Sequence, residues 1–148
     1  MGKIEAINIT NISDENTFYV NHAILEKGKG IVNDRYYEKF KEKKEQVTLI
    51  NLEYINNFNN QIKQNIDAKD FRRNIIVSSI NLNELINKKI KINDVTLKIH
   101  EICQPCKYLQ DKLKIPGLVK MLINKSGVRA EILTSGSLSV GDAIKILK

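Results

Sequence analysis

The segment His100-Glu101-Ile102-Cys103-Gln104-Pro105-Cys106-Lys107 carries the densest set of reactive side chains in the sequence. Cys106 follows a proline and stands where a strand-like stretch gives way to a helix-like one. At a helix start, backbone N–H groups favour a thiolate, and Lys107 adds a positive charge beside it. A thiolate attacks sulfur or binds a metal. The plain alternative is that Cys103 and Cys106 are two small buried apolar residues. The Cys-x-x-Cys spacing is also that of a thioredoxin redox pair. The two prolines, Pro105 and Pro116, lie in no later strand that could face such a pair, and the upstream half lacks a βαβ pattern. A zinc site drawn from His100, Cys103, Cys106 and His22 has one ligand cluster, where structural zinc often has two.

Phe71-Arg72-Arg73-Asn74 is a second constellation, placed just ahead of an apolar strand. Planar guanidinium groups suit phosphate and carboxylate oxygens. Their ordinary alternative is surface pairing with Asp67 or Asp70. The third is Gly28-Lys29-Gly30-Ile31-Val32-Asn33-Asp34-Arg35-Tyr36, which opens like a dinucleotide fingerprint but lacks the third glycine and any Gly-Lys-Ser/Thr. Its glycines read as a tight turn, with Asp34 and Arg35 fixing the loop. Two histidines and no nucleophile elbow rule out an arguable Ser-His-Asp set.

The elements that must position these groups are mostly strands. Lys3 to Ile9 alternates in a strand-like way, Phe18 to Leu25 is a second β segment, and Gln46 to Ile50 has the β-branched content of a buried strand. Leu52, Ile55, Phe58, Ile62 and Ile66 then step by three or four along one helical face, with Asn51 as the expected cap. A strand at Ile75 to Val77, a helical turn around Leu82 to Ile86 and a hairpin through Asn93-Asp94 follow. Helices are expected at Lys107 to Leu113 and over Leu118 to Ile123, the latter begun by Pro116. The chain returns to strands at Val128 to Leu133 and Ala143 to Leu147. The corners Asn93-Asp94 and Gly141-Asp142 resemble each other, each offering a residue that tolerates positive φ. Many short strands joined by such corners indicate a mainly β barrel or sandwich with peripheral short helices.

Composition sets the outer limits. The chain's 148 residues, 42% hydrophobic and 28% charged, suit one globular domain, read here as 1–148. Its net charge of +7 and pI near 9.4 point to a solvated lysine-rich surface or a pocket for an anionic ligand. The basic residues form no aromatic-studded stripe, so nucleic acid is not expected as a partner. No run approaches the ~18 apolar residues of a membrane span, and the first residues have no apolar core of a signal peptide. Two cysteines three positions apart make no disulfide framework, and a cytoplasmic, reducing setting is expected.

In order, these pieces resemble a MOSC domain, the module named after the C-terminal part of molybdenum-cofactor sulfurases. The likeness runs from Ile4 to Leu147. It rests on Gly30 to Tyr36, Gln46 to Ile50 with Glu53, Arg72-Arg73-Asn74-Ile75, Leu82-Asn83 with Leu85, Cys103-Gln104-Pro105-Cys106 with Leu109, Gly127-Val128-Arg129-Ala130, Gly136 and Gly141-Asp142. Many relatives have Gly-Asp where this chain has Asn33-Asp34, and Asn is the next-best residue for positive φ. The resemblance implies a compact closed β-barrel of the kind also found in pyruvate kinase. It implies a pocket lined by the Arg-Asn segment, the Asp34-Arg35 loop and a cysteine, which maps to Cys106. It implies the molybdenum cofactor, an anionic pterin, as ligand. Arg72, Arg73, Asn74, Arg129, Asp34 and Arg35 are the expected binding residues, and Cys106 is the reactive thiol and metal ligand. Members carry sulfur as a cysteine persulfide, or reduce N-hydroxylated compounds, including N-hydroxylated purine bases, with an external donor. An electron-donor or sulfur-donor protein is therefore the implied partner, and a cofactor-binding module without turnover is the third implied reading.

Overall fold

The computed structural model describes residues 2–11 and 16–148. It contains eleven strands and three α-helices among the described residues. In chain order the strands are β1 (Gly2–Ile9), β2 (Phe18–Val20), β3 (His22–Glu26), β4 (Gly30–Ile31), β5 (Val47–Asn51), β6 (Ile75–Ser78), β7 (Lys89–Ile92), β8 (Val95–Ile102), β9 (Val128–Thr134), β10 (Gly136–Ser139) and β11 (Ala143–Leu147). The helices are α1 (Leu52–Ile62), α2 (Lys107–Leu113) and α3 (Leu118–Met121). No helix is long and apolar enough to cross a membrane among the described residues.

Seven strands close into a barrel in the order β1, β11, β7, β8, β9, β5, β6 and back to β1. Every pairing is antiparallel except β5 with β6. Parallel neighbours need a long crossover, and here α1 with the 3-10 helix Ala68–Phe71 supplies it. The crossover also explains the composition of the pair. Leu49, Ile75 and Val77 point into the barrel core, while Ile50 and Ile76 join Ile55, Phe58 and Phe71 in an outer cluster. Strands covered on both faces lose the alternating pattern and read as apolar runs. Phe58 and Phe71 meet edge to face, with centroids 5.8 Å apart.

Several sequence expectations need correction. The segment expected as one strand over Phe18 to Leu25 breaks at Asn21, because β2 pairs with β1 while β3 joins a separate sheet with β10 and β4. Asn51 precedes α1 without capping it; its amide donates instead to the Ile80 carbonyl and to Glu53. The helix stops at Lys63 in the left-handed conformation, so Ile66 packs from the following loop. The helix expected to begin at Pro116 is shorter: Gly117 caps it, and Ile123 is exposed. The two look-alike corners touch: Asn93 and Gly141 both have positive φ, and Asn93 Nδ2 donates to Asp142 Oδ2 at 2.6 Å.

Candidate functional site

The start of β6, the end of β8 and the start of β9 flank the middle of β5 on one stretch of the barrel wall. Register fixes this: Thr48 lies opposite Arg129, Leu49 opposite both Ile75 and Val128, and Ile102 opposite Val128. Loops leaving these ends carry Arg72 and Arg73, the 103–106 segment and, from beyond β4, Arg35.

The Gly28 to Tyr36 loop is built around positive φ. Gly28, Gly30 and Asn33 all adopt it, so Asn33 serves the turn geometry expected of it. Asp34 is buried; its Oδ1 accepts from the Thr10 N–H at 3.1 Å and its Oδ2 from the Tyr36 N–H at 3.4 Å. That fastening turns Arg35 inward. Arg35 is 7% exposed; its guanidinium donates through Nη2 to the Arg72 carbonyl at 3.4 Å and lies 4.5 Å from the centre of the Tyr36 ring. Its Nη1 is buried with no hydrogen-bond partner among the described residues. A buried charged donor without a partner is costly, so such groups are conspicuous where a ligand is absent.

Arg72 closes the 3-10 helix Ala68–Phe71 with φ +63°, an uncommon conformation for a residue other than glycine. Its guanidinium stands 5.8 Å from the centre of the Tyr108 ring. Arg73 braces the cysteine segment: Nε donates to the Ser126 carbonyl at 2.7 Å, and Nη2 reaches the Gln104 carbonyl at 3.5 Å. Asn74 is spent on the barrel. Its Oδ1 accepts from the Thr48 N–H and hydroxyl, each at 3.1 Å, and its Nδ2 donates to the Asn8 carbonyl at 3.2 Å.

The two cysteines have different surroundings. Cys103 is buried, its N–H donating to the Gly127 carbonyl at 2.8 Å and its carbonyl accepting from the Ser126 hydroxyl. Pro105 is buried, and Cys106, in the N-cap position just before α2, is exposed. Arg129 lies beside Cys103 and donates through Nη1 to Glu101 Oε1 at 3.2 Å. Burial works against the charge on Arg129, but Cys103 and Glu101 outweigh it and raise the guanidinium above its ordinary value. Glu101 also pairs with Lys44 at 3.3 Å. Burial opposes its charge as well; the bonds from Lys44 and Arg129 prevail and hold the carboxyl below the usual carboxylate range.

Two clefts share Arg35, Tyr36, Arg72 and Arg73 as walls. One, of about 270 Å³, adds Lys39, Lys41, Thr48, Cys103 and Arg129, with Glu45 as its acidic member. The other, of about 210 Å³, adds Phe71, Cys106, Tyr108 and Leu109. The structure therefore brings Cys106 together with Arg35, Arg72 and Arg73, and sets Arg129 in the adjoining cleft. Asp34 and Asn74, expected among the binding residues, line neither cleft because fold contacts occupy their side chains. The zinc set does not assemble: no group of three or more His, Cys, Asp or Glu gathers among the described residues, and His100 Nε2 pairs with Glu131 at 2.9 Å. Sequence reasoning did not single out Tyr36, Tyr108, Lys39 or Lys41 as cleft residues. Only the placement of Tyr108 two residues beyond Cys106 hinted at one of them.

The sequence matches the family model of the MOSC domain over residues 36–145. This chain belongs to that family. Solved structures agree on the fold. The YuaD protein of Bacillus subtilis superposes with a TM-score of 0.82 at 19% identity, covering 99% of this chain and 96% of that one. YiiM from Geobacillus stearothermophilus gives 0.81 at 15% identity, over 100% and 76%. YiiM from Escherichia coli gives 0.76 at 11% identity, over 99% and 70%. No curated protein matches the chain in sequence. In this MOSC domain the matched region includes both cysteines and all four cleft arginines except Arg35, which immediately precedes it.

Proposed function

We propose that this MOSC domain binds a molybdenum cofactor, an anionic pterin, through Cys106, and reduces N-hydroxylated compounds with electrons from a donor protein. One observation carries the reading: an exposed thiol shares a cleft with three guanidinium groups, one of which has a buried N–H without a partner. The fit lies in the donor set. Arginines offer N–H groups and no acceptors, which suits phosphate and the acceptor atoms of a pterin edge. A cysteine sulfur is a soft ligand that suits a transition metal. When bound, the cofactor supplies two-electron redox chemistry beside the substrate.

The chain's own residues do the rest. Arg35, Arg72 and Arg73 neutralise and orient an anion beside Cys106, and Arg129 extends the positive field into the neighbouring cleft. Asp34 and Asn74 hold the loop and strand from which Arg35 and Arg73 project. Arg73 also fixes the cysteine segment through Ser126 and Gln104.

The exposure of Cys106 supports a second reading, in which it carries sulfur. There its thiolate attacks the outer sulfur of a donor persulfide, the donor thiolate leaves, and Cys106 holds the transferred sulfur as a persulfide. One experiment separates the readings. The protein and Cys106→Ser are purified from a cofactor-competent host, and molybdenum, pterin and intact mass are measured. Metal and pterin near one per chain, lost in Cys106→Ser, together with turnover of an N-hydroxylated base, support the reductase. Metal-free protein one sulfur atom heavier at Cys106 supports the carrier. Neither result, in a folded protein, overturns both.

A further inference from the structure

The outer wall of the barrel formed by β11, β7 and β8 carries a charge arrangement that the fold itself does not need. In register, Lys145 lies opposite Lys91, and Lys89 lies opposite Lys98. Lys89, Lys91 and Lys145 are exposed, and Lys98 is half-buried. Like charges directly opposite each other on neighbouring strands destabilise a sheet. None of the four lysines has an ion-pair partner among the described residues. β7 and β11 contain no acidic residue. The two carboxylates of the adjoining β8–β9 wall are engaged locally, Glu131 with His100 and Glu101 with Lys44 and Arg129. Beside the lysines, β11 ends in an apolar pair: Ile146 is 46% exposed, and half-buried Leu147 is in register with Lys89.

We propose that this wall is the docking face for an acidic protein surface. The unpaired lysines supply charge complementarity and steering, and Ile146 with Leu147 supplies the apolar contact that a specific protein interface has at its centre. A phosphate backbone fits less well. β7, β8 and β11 contain no arginine, tryptophan, tyrosine or phenylalanine, and the outside of a closed barrel is convex, so the wall offers neither stacking nor a groove. Its place in the fold also makes sense of a partner there. From Lys98 to Ile102, β8 rises by roughly 13 Å and runs directly into the Cys103–Cys106 segment. A protein seated on the lysines is therefore held near the cysteine segment. Calling that protein the electron or sulfur donor rests on the function proposed above; its acidic character does not.

The test uses the whole chain, with a flavodoxin as the acidic protein probe and a DNA duplex and phosphatidylserine vesicles as the other polyanions. Binding is mapped by backbone amide resonance shifts and measured by calorimetry at low salt. Flavodoxin is expected to move the signals of β7, β11 and the first half of β8. Its affinity is expected to fall about tenfold in the combined variant Lys89→Gln, Lys91→Gln, Lys98→Gln and Lys145→Gln. It should fall likewise as salt shortens the screening length from about 30 Å at 0.01 M to about 10 Å at 0.1 M. A matched variant that removes the same charge elsewhere, Lys63→Gln, Lys114→Gln, Lys120→Gln and Lys125→Gln, is expected to bind as wild type does. Because the wall variant relieves two like-charge oppositions, it is expected to melt no lower than wild type. Equal losses of affinity in the two variants overturn the proposal, as do flavodoxin shifts centred away from the wall, or no binding. Tighter binding of the duplex or the vesicles to the wall at the same salt also overturns it, and assigns the wall to nucleic acid or to a membrane surface. The wild-type shift map decides the matter even where a variant fails to fold. The readout needs neither molybdenum nor turnover, so its failure and failure of the reductase reading are distinguishable.

Discussion

Arg73 Nε donates to the backbone carbonyl of Ser126 at 2.7 Å, across 53 positions of sequence. The same serine's hydroxyl bonds the carbonyl of Cys103. An arginine expected to meet a ligand is thus also the tie that sets the height of the cysteine segment against the barrel end. Charge and position are supplied by one side chain.

Removing that tie should cost stability and local order together. Arg73→Ala is expected to destabilise the protein by about 1–3 kcal/mol, since it orphans a part-buried carbonyl as well as losing a charged donor. Urea denaturation measures the first effect. Hydrogen exchange at the Cys103 amide, which bonds Gly127, measures the second. Unchanged protection there would show that Arg73 does not hold the segment.

Gly127 sits in the same tie with φ +104°, and a Cβ there would stand 2.2 Å from the Leu49 carbonyl oxygen. Backbone cannot yield as a flexible side chain would. Gly127→Ala therefore combines left-handed strain with a clash inside the β5–β9 pairing, and a loss of at least about 3 kcal/mol is expected. A thermal melt, or failure to accumulate folded protein, reads it. A near-wild-type melting temperature would mean that the β9 start can shift.

Much of the barrel was legible because local pattern and tertiary fate coincide. The β7–β8 hairpin is announced by Asn93-Asp94 between alternating runs, and Asn93 does adopt positive φ. The break at Asn21 was not legible, because no local signal tells Val20 and Ala23 that they serve different sheets. The site shows the same division. Arg72, Arg73 and Cys106 were found as residue types suited to anions and sulfur chemistry, Arg35 was expected from the family resemblance, and the four do share a cleft. Asp34 and Asn74 were expected beside them, yet their bonds to Thr10, Thr48 and Asn8 depend on long-range register, which composition does not reveal.

Asn74 offers a clean discrimination between binding and architecture. Its amide closes β1, β5 and β6 with bonds to Asn8 and Thr48, and it is 2% exposed. Asn74→Ala is expected to cost about 2–4 kcal/mol by leaving those backbone groups unsatisfied. Anion affinity of the fraction that remains folded should be nearly unchanged. A selective loss of affinity at full stability would return Asn74 to the ligand shell.

Tyr19 and Asp67 give the fold a pH signature away from the site. The phenol donates to the carboxylate and accepts from the Lys69 N–H at 3.1 Å. Burial first, then the bond to Asp67, pushes the Tyr19 phenol from 10.0 up to about 12. The folded state thus keeps this proton longer than the unfolded chain does. The resulting stability is complete below the unfolded value and fades as pH climbs from about 10 to about 12. The bond from Tyr19 is also the main reason that Asp67 titrates below its usual range, and that contribution disappears as pH falls through the lowered value. Tyr19→Phe should remove the late phase of an alkaline tyrosinate titration and flatten both arms of the stability profile. A titration identical to wild type would refute the pairing.

The two thiols should separate by access and by field. Cys106 is exposed, whereas Cys103 is 4% exposed on the inner wall of the larger cleft. Under native conditions a haloacetamide is expected to add once, at Cys106, with Cys103 reacting at least about tenfold more slowly until the protein unfolds. Charge supplies the sharper measurement. The Cys106 cleft presents three guanidinium groups and no carboxylate, so it should concentrate a small anion. Iodoacetate should therefore gain on iodoacetamide at Cys106, relative to the same pair reacting with free cysteine. The gain should shrink as salt shortens the screening length from about 30 Å at 0.01 M to about 3 Å at 1 M. Arg35→Gln and Arg72→Gln should each reduce it. A rate ratio that ignores both salt and these substitutions would mean that the arginines direct their charge away from the sulfur, and Cys106 would then be an ordinary surface thiol.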